Sequence, residues 1–267
     1  MRRFQRDWRK FLTIGKMLRA VACGGAILLC GSAAGQAQEF LSAELRNPTD
    51  KYGHGALGAE GEYLSLVLEI GRRVGSEGGI FSGSASLTYE LNAEENLVYE
   101  DVAPRLWDVT GDGKPEVVVM QSHMELGARL LVIGLNEGKP AFVAATPFIG
   151  TRHRWAAPLA AADLDGDGNI EVAFVDRPHL AKILRIWRYS DGDFYEVTSV
   201  NGVTNHRFGE SEIFGGLREC GDQPELVLAD ADWKRLVRFR MVDGRMQGQY
   251  FGPIEGPESF ETALTCR

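Results

Sequence analysis

The chain has 267 residues, of which 44% are hydrophobic and 25% charged, and its formal net charge is −8 at pH 7. This is ordinary globular composition in a chain long enough to bury a sizeable core. The acidic balance excludes nucleic acid and anionic lipid as expected partners, because like charges repel.

The N-terminal segment, residues 1–37, is predicted to be a secretory signal peptide. Residues 1–16 are rich in basic side chains, and residues 20–35 form an apolar run that contains no charged residue. Small residues precede a cleavage point after Ala37. The apolar run of about 16 residues is shorter than the roughly 20 that a membrane span requires. Cleavage removes seven basic residues and Asp7, which leaves 22 basic and 36 acidic residues and a net charge of −14. Such a surface favours cations.

Two alternatives remain for this segment: an uncleaved anchor, and a true start at Met17. With cleavage, we expect a periplasmic or secreted protein with no stable membrane span. Cys23 and Cys30 lie within the signal, so the exported chain keeps Cys220 and Cys266. Two cysteines in an exported protein indicate one disulfide bond, and two buried thiols are the alternative.

Beyond the signal, the chain repeats a pattern with a period of about 55 residues. Three segments place a turn rich in Gly and Asp before an acid and an apolar run: 112–119, 167–174 and 221–228. Their acids, Glu116, Glu171 and Glu225, stand 55 and 54 residues apart, and Glu62 lies another 54 residues upstream. The chain is therefore predicted to contain four related units.

Within each unit, the acid-led run is followed by a second apolar run, a turn that contains glycine, and a third apolar run. The turn glycines Gly138, Gly192 and Gly244 permit the positive φ that tight hairpins require. Each unit predicts about four short strands, and no helical period follows the signal. Repeats of this length, built from four-stranded meanders, indicate a β-propeller.

We therefore predict an all-β fold in which residues 38–267 form a β-propeller of about four four-stranded blades, or five if residues 72–91 add strands. A blade buries little surface by itself, and a ring gives it neighbours on both faces. A β-sandwich is the alternative, but it does not explain the even period. Residues 259–266 match no complete unit and are predicted to supply a closing strand, which a Cys220–Cys266 bridge would fasten.

Two short acidic loops lead directly into predicted strands: loop one, residues 108–116, and loop two, residues 163–171. Oxygen-bearing side chains occupy positions 1, 3, 5 and 9, and glycine occupies position 6, where the chain turns sharply. Calcium prefers about six to eight oxygen ligands, and such a loop supplies most of them. An EF-hand is excluded, because it requires flanking helices and a glutamate at position 12, where Val119 and Phe174 stand. A solvated turn that binds nothing is the alternative.

Ten residues are predicted to hold Ca²⁺ through side-chain oxygens or, at position 7, a backbone carbonyl: Asp108, Thr110, Asp112, Lys114, Glu116, Asp163, Asp165, Asp167, Asn169 and Glu171. Without a cation, carboxylates this close would repel one another. Loop two has four acids and loop one has three, so loop two is predicted to bind more tightly. The units that contain Glu62 and Glu225 lack the other ligands, and no calcium is predicted there.

Both loops resemble those of the FG-GAP/VCBS repeat family, which occurs in the integrin α-subunit propeller and in many exported bacterial proteins. The resemblance covers residues 103–242 well, and it implies a propeller whose loops bind calcium. It implies eight side-chain ligands: Asp108, Thr110, Asp112, Glu116, Asp163, Asp165, Asp167 and Glu171. Position 9 of the family is usually Asp and seven blades is its familiar number, and this chain departs from both.

A His-Arg-aromatic tripeptide also repeats in phase, at residues 153–155 and 206–208. The His-Arg pairs form either a rim patch that binds an anion or a partner, or a covering over rings packed between blades. No two of the five histidines have the spacing of a zinc finger or a His-x-x-x-His motif.

The favoured function is a non-enzymatic, exported, calcium-stabilised module that binds an unidentified protein or glycan. The alternative is a periplasmic hydrolase or lyase with its site at the propeller axis. A convergent cluster of His, Arg and acid at the axis would favour the enzyme, and a broad exposed aromatic patch would favour binding. The chain contains no Gly-x-Ser-x-Gly elbow, Walker loop or dinucleotide-binding glycine pattern.

Overall fold

The computed structural model describes residues 38–71 and 86–266. The predicted signal peptide and most of the segment proposed for a fifth blade lie outside these ranges. The described residues form a fold of strands with one short helix, which confirms the all-β part of the predicted fold class. The propeller stays a prediction. No helix in this part of the chain is long and apolar enough to cross a bilayer.

Three antiparallel sheets make up the described fold, and none of them closes on itself. The first sheet has eight strands: β1 (Glu39–Pro48), β2 (Glu62–Gly71), β3 (Leu87–Asn92), β4 (Leu97–Glu100), β5 (Arg105–Trp107), β6 (Glu116–His123), β7 (Gly127–Asn136) and β8 (Lys139–Ala145). Its hydrogen-bonded order is β1-β2-β4-β6-β7-β8, with β3 also paired to β2 and β5 to β6.

The other two sheets are smaller. The second has four strands, in the order β12-β11-β10-β9: β9 (Ala156–Ala162), β10 (Glu171–Asp176), β11 (Ile183–Ser190) and β12 (Asp193–Asn201). The third has the order β13-β15-β16-β17, with β14 also paired to β15: β13 (Val203–Thr204), β14 (Gly216–Arg218), β15 (Glu225–Asp230), β16 (Arg235–Val242) and β17 (Arg245–Pro253).

The four acids that set the repeat each begin a strand, as predicted. Glu62 begins β2, Glu116 begins β6, Glu171 begins β10 and Glu225 begins β15. Strands β6, β10 and β15 are buried along almost their whole length, whereas β12 and β17 are mostly exposed. The acid-led runs are continuously apolar because both faces of these central strands are covered.

Three hairpins have the same type of turn: those that join β7 to β8, β11 to β12 and β16 to β17. Three turns have positive φ at both central residues: Glu137 (50°) and Gly138 (75°), Asp191 (53°) and Gly192 (86°), and Asp243 (49°) and Gly244 (69°). This is the type I′ pattern, whose twist matches that of the flanking strands. The predicted role of the three glycines is confirmed, and the residue before each glycine shares the left-handed conformation.

Strand β10 shows how the sheets stack. Its alternate side chains point to opposite faces of the second sheet. Val172 and Phe174 join a core with Met120 and other residues of the first sheet, whereas Ala173 and Val175 join a core with the third. The second sheet therefore lies between the other two.

Within the first sheet, only two residue pairs join β2 to β4. Leu66 and Leu68 of β2 share one core cluster with Val117 and Val119 of β6. The strands can be grouped in chain order as β1–β3, β4–β8, β9–β12 and β13–β17, whereas the number of blades stays a prediction.

The closing strand predicted at residues 259–266 is wrong, because this segment contains helix α1 (Glu258–Leu264). Phe260 and Ala263, three residues apart, share one face of the helix and are buried in a cluster with Val227 of the third sheet. The predicted Cys220–Cys266 disulfide bond is present, and it fastens the end of the chain to the turn before β15.

Candidate functional site

The two acidic loops have the same backbone conformation and the same position in the fold. Loop one joins β5 to β6, and loop two joins β9 to β10. The glycines at positions 4 and 6 have positive φ: Gly111 (74°), Gly113 (82°), Gly166 (79°) and Gly168 (89°). Only glycine adopts this conformation without strain, so these four residues allow each loop to wind tightly around its acids.

The aspartate at position 1 holds the turn of each loop. In loop one, Asp108 Oδ1 accepts hydrogen bonds from the backbone N–H of Gly111 (2.8 Å) and Asp112 (3.1 Å), and Oδ2 accepts one from Gly113 (2.8 Å). Asp163 makes the same three bonds in loop two, at 2.7, 3.1 and 2.9 Å. This bonding fixes the carboxylate at the centre of the loop.

The glutamate at position 9 of each loop is hydrogen-bonded to the backbone of position 2, and this bond closes the loop. Glu116 Oε2 accepts the backbone N–H of Val109 (2.7 Å), and Glu171 Oε2 accepts that of Leu164 (2.9 Å). Both glutamates are buried, and this burial raises the pKa of each carboxyl even though hydrogen bonds oppose the rise. In each loop, the charged form of this glutamate therefore has a high free energy unless a cation lies nearby.

The structure brings six of the ten predicted ligands together. Oxygens of Asp108, Asp112 and Glu116 lie within 4.8 Å of one another, and so do those of a second set: Asp163, Asp165 and Glu171. Asp167 is the one predicted acidic ligand outside these two clusters. The roles of Thr110, Lys114 and Asn169 as ligands stay a prediction. Thr110 Oγ1 donates to Glu116 Oε1 (2.9 Å), which sets that carboxylate toward the loop.

A positively charged side chain that the sequence analysis did not predict contacts the acids of loop two. Arg188 lies opposite Glu171 in the β10–β11 hairpin. Its guanidinium donates from Nη2 to Asp165 (2.8 Å), from Nη1 to Asp167 (2.6 Å) and from Nε to Glu171 (2.5 Å). Partial burial would lower the pKa of Arg188, but the bonds to Glu171 and Asp165 outweigh it and raise the pKa. Counting across the hairpin from Glu171 is the signal that would have found this residue.

No guanidinium of a described residue is paired with the acids of loop one. Gly134 of β7 lies beside Glu116, where a built Cβ would stand 3.6 Å from Glu116 Cγ. The only basic side chain paired with loop one among the described residues is Lys114, whose exposed ammonium lies 3.9 Å from Asp112. The acids of loop one are therefore open to an external cation, whereas those of loop two are already neutralised in part.

The two remaining units satisfy their glutamates without a carboxylate cluster. Glu62 accepts backbone N–H groups from Tyr52 (3.1 Å), Gly53 (2.9 Å) and His54 (2.7 Å). Glu225 is paired with three guanidinium groups: Arg218 (2.6 Å), Arg238 (3.6 Å) and Arg240. These pairs lower the pKa of Glu225 in spite of its burial. The absence of calcium from both units stays a prediction.

A second site lies where four loops meet, namely those that join β1 to β2, β8 to β9, β10 to β11 and β13 to β14. The histidine pocket is a cavity of about 250 Å³ whose polar lining comes from five basic residues: His54, His153, Arg154, Arg177 and His179. His153 and Arg154 of the repeated tripeptide line this cavity, and the binding of an anion or a partner there stays a prediction. His206 lies beneath it, with Nδ1 2.7 Å from His179 Nε2. Arg207 instead lies over the Trp233 ring, 4.2 Å from its centroid.

We expect the free energy of unfolding to depend on His179 between pH 7 and pH 4. Burial, with smaller contributions from His206, His54 and Lys182, lowers the pKa of His179 from 6.5 to about 4. Below pH 6.5 the unfolded chain therefore takes up a proton that the folded chain does not, so acid destabilises the fold. The stability difference between wild type and His179→Asn should shrink as the pH falls, as measured by urea unfolding. A difference that stays constant with pH would contradict this assignment.

Comparison with known protein families agrees with the loop geometry. A model of the FG-GAP-like repeat matches residues 108–174, a quarter of the chain that contains both acidic loops and the strands between them. This confirms the resemblance over that stretch. No curated protein sequence matches the chain.

Proposed function

We propose that the chain is an exported, calcium-binding β-propeller-type module that binds a protein or glycan partner and catalyses no reaction. The observation that carries the proposal is the pair of carboxylate clusters. The two clusters lie on two loops of the same conformation, and a buried central strand follows each loop. Clustered carboxylates around a glycine-rich turn are the oxygen ligands that calcium prefers.

The arrangement of strands supports the propeller. Four strand groups of similar length follow one another along the chain, and each central strand begins with the repeated acid. Cores between successive groups bury both faces of the middle groups, as blades do in a ring. The FG-GAP-like match covers parts of the second and third groups.

The residues of loop one fit calcium best. Asp108, Asp112 and Glu116 would supply carboxylate oxygens, and the backbone carbonyl of Lys114 at position 7 would add another. Calcium would supply only charge and coordination there, and it would fix the conformation of loop one where the chain enters β6. From the number of acids, loop two was predicted to bind calcium more tightly than loop one. We now propose the opposite order, because Arg188 pairs with three carboxylates of loop two.

Export and partner binding have separate support. The Cys220–Cys266 bridge is typical of proteins from oxidising compartments. Large apolar side chains on the outer strands are exposed: Phe142 (66%), Tyr195 (48%) and Tyr250 (59%). Aromatic side chains in such positions are enriched at protein interfaces and suit stacking against sugar rings.

We expect calcium to raise the melting temperature of the purified full chain, by several degrees when calcium exceeds its Kd about 100-fold, which corresponds to about 2.7 kcal/mol. Asp112→Ala should remove most of the shift, and Asp165→Ala should remove less, because Arg188 competes in loop two. Asp222→Ala, in the exposed turn before β15 that lacks the other ligands, is the matched control and should keep the shift. A wild-type melting curve that does not change across millimolar calcium would refute the calcium site.

One observation favours a hydrolase or lyase as a second candidate. His54 Nδ1 lies 2.5 Å from Glu100 Oε1, and this buried carboxylate, whose pKa burial raises, also accepts a hydrogen bond from Ser122 Oγ. A histidine oriented by a buried acid is the arrangement of a general base. Turnover of chromogenic esters, glycosides or uronides that is lost in His54→Gln would support the enzyme, and no turnover by wild type would favour the binding module.

A further inference from the structure

The histidine pocket combines donors and apolar walls that the calcium loops do not use. Four loops distant in sequence build it, and its rings touch one another. The rings of His54 and His153 stack in parallel with centroids 5.2 Å apart, and the ring of Phe208 lies 5.3 Å from that of His179. These four loops therefore meet around one small cavity with an open mouth.

The charge of this pocket opposes that of the rest of the protein. Among the described residues that line it, none is Asp or Glu. Arg177 is neutralised by a two-point pair with Asp176, at 2.7 and 2.9 Å. Arg154 donates to the backbone oxygen of His153 (2.9 Å) and forms no ion pair with a described acid. The Arg154 guanidinium is thus the uncompensated positive charge of the pocket.

The imidazole groups are oriented before any ligand arrives. His206 Nε2 lies 2.8 Å from the backbone oxygen of Glu210, an acceptor, so the proton of the neutral ring lies on Nε2. His206 Nδ1 must then accept from His179 Nε2–H, which leaves His179 Nδ1 as a free acceptor. His54 is held in the same way by Glu100. Groups fixed in this manner lose little entropy when a ligand binds.

The walls and the mouth of the pocket are apolar. Trp155 is buried and donates its indole N–H to the backbone oxygen of Glu100 (2.8 Å). Leu180 and Phe208 line the same cavity and are 65% and 62% exposed, as expected for residues at an open mouth. Apolar and aromatic side chains around a small number of polar groups are the usual lining of a ligand pocket.

We propose that the histidine pocket binds a small carboxylate carried on a ring-sized body with one apolar face. The Arg154 guanidinium pairs with the carboxylate, Phe208 covers the apolar face, and His179 Nδ1 accepts a hydrogen bond from the ligand. A cavity of about 250 Å³ holds one such ring. Two sources share this chemistry, namely aromatic acids and the acidic sugar units of glycans. The inference goes beyond the proposed calcium module and does not depend on calcium.

The test is a calorimetric titration of the purified full chain with sodium phenylacetate and with sodium galacturonate, in buffer stripped of calcium. Phenylacetamide and galactose, which have the same bodies without the charge, are the neutral controls. At least one acid should bind with a Kd in the millimolar range or below, and its neutral partner at least tenfold more weakly. Binding of phenylacetate alone identifies an aromatic acid, and binding of galacturonate alone identifies an acidic sugar.

Two variants locate the binding. Arg154→Gln should weaken binding at least tenfold, because a charge-assisted hydrogen bond is lost. Arg207→Gln is the matched control, since it belongs to the repeated tripeptide but points at Trp233, and it should bind as wild type does. Phe208→Ala removes an exposed ring and should weaken binding without unfolding the chain. The proposal is overturned if neither acid binds at about 10 mM, if a neutral partner binds equally well, or if Arg154→Gln and Phe208→Ala both leave the affinity unchanged.

Discussion

Arg188→Gln is expected to raise the calcium affinity of loop two at least tenfold, which corresponds to about 1.4 kcal/mol. The guanidinium donates to three carboxylates at 2.5–2.8 Å, so calcium must displace it before it can reach the same oxygens. The substitution should also lower the free energy of unfolding without calcium by about 3 kcal/mol, because it leaves the buried Glu171 without its partner. Calcium should restore most of that loss.

The affinity is best measured by calorimetry in the Asp112→Ala background, in which loop one no longer contributes. Arg185→Gln is the matched control. Arg185 lies on the same strand and also pairs with two acids, Asp176 and Glu196, but neither belongs to a loop. If Arg188→Gln leaves calcium binding in this background unchanged or weaker, Arg188 does not compete with the ion.

Loss of the disulfide bond should have the largest effect on the fold. Replacing both Cys220 and Cys266 by serine should lower the free energy of unfolding by about 4 kcal/mol, since the bridge closes a loop of 46 residues in the unfolded chain. Without it, only Phe260, Ala263 and their apolar neighbours hold α1 against the third sheet.

Urea unfolding of the double variant, with and without a reducing agent, measures this effect. Reduction should destabilise the wild type by a similar amount and leave the double variant unchanged. The calcium-dependent shift should persist in the variant, because both loops lie far along the chain from the bridge. A loss smaller than about 1 kcal/mol would mean that the bridge constrains little in the unfolded state.

Local signals in the sequence predicted most of the strands and both acidic loops. Hairpin glycines such as Gly192 and the glycines of loop two need positive φ whatever surrounds them, so their spacing identifies turns directly. The acid-led strands are equally clear, because continuous apolar runs of six residues indicate strands covered on both faces. The pair formed by Cys220 and Cys266 followed from the predicted signal peptide, which contains Cys23 and Cys30 and so leaves two cysteines in an exported chain.

The features that were missed depend on contacts between distant segments. Arg188 reaches loop two only because of the pairing between β10 and β11, in which one residue of slip would point it to the other face. His54 and His179 enter the pocket from loops 125 residues apart in the sequence. The helix α1 is too short for its period to stand out, and its buried face is defined by the third sheet.

The four buried glutamates are held by different kinds of partner. Glu171 and Glu225 pair with guanidinium groups of the same polypeptide, and Glu62 accepts backbone N–H groups. Glu116 belongs to the loop that we propose as the stronger calcium site. A tethered partner cannot be diluted away. If the proposed calcium site of loop one is correct, removal of divalent ions would loosen the region around Glu116 first, while the regions around Glu171 and Glu225 would keep their shape. The chain would then respond to divalent ions at one loop without a change in the rest of its fold.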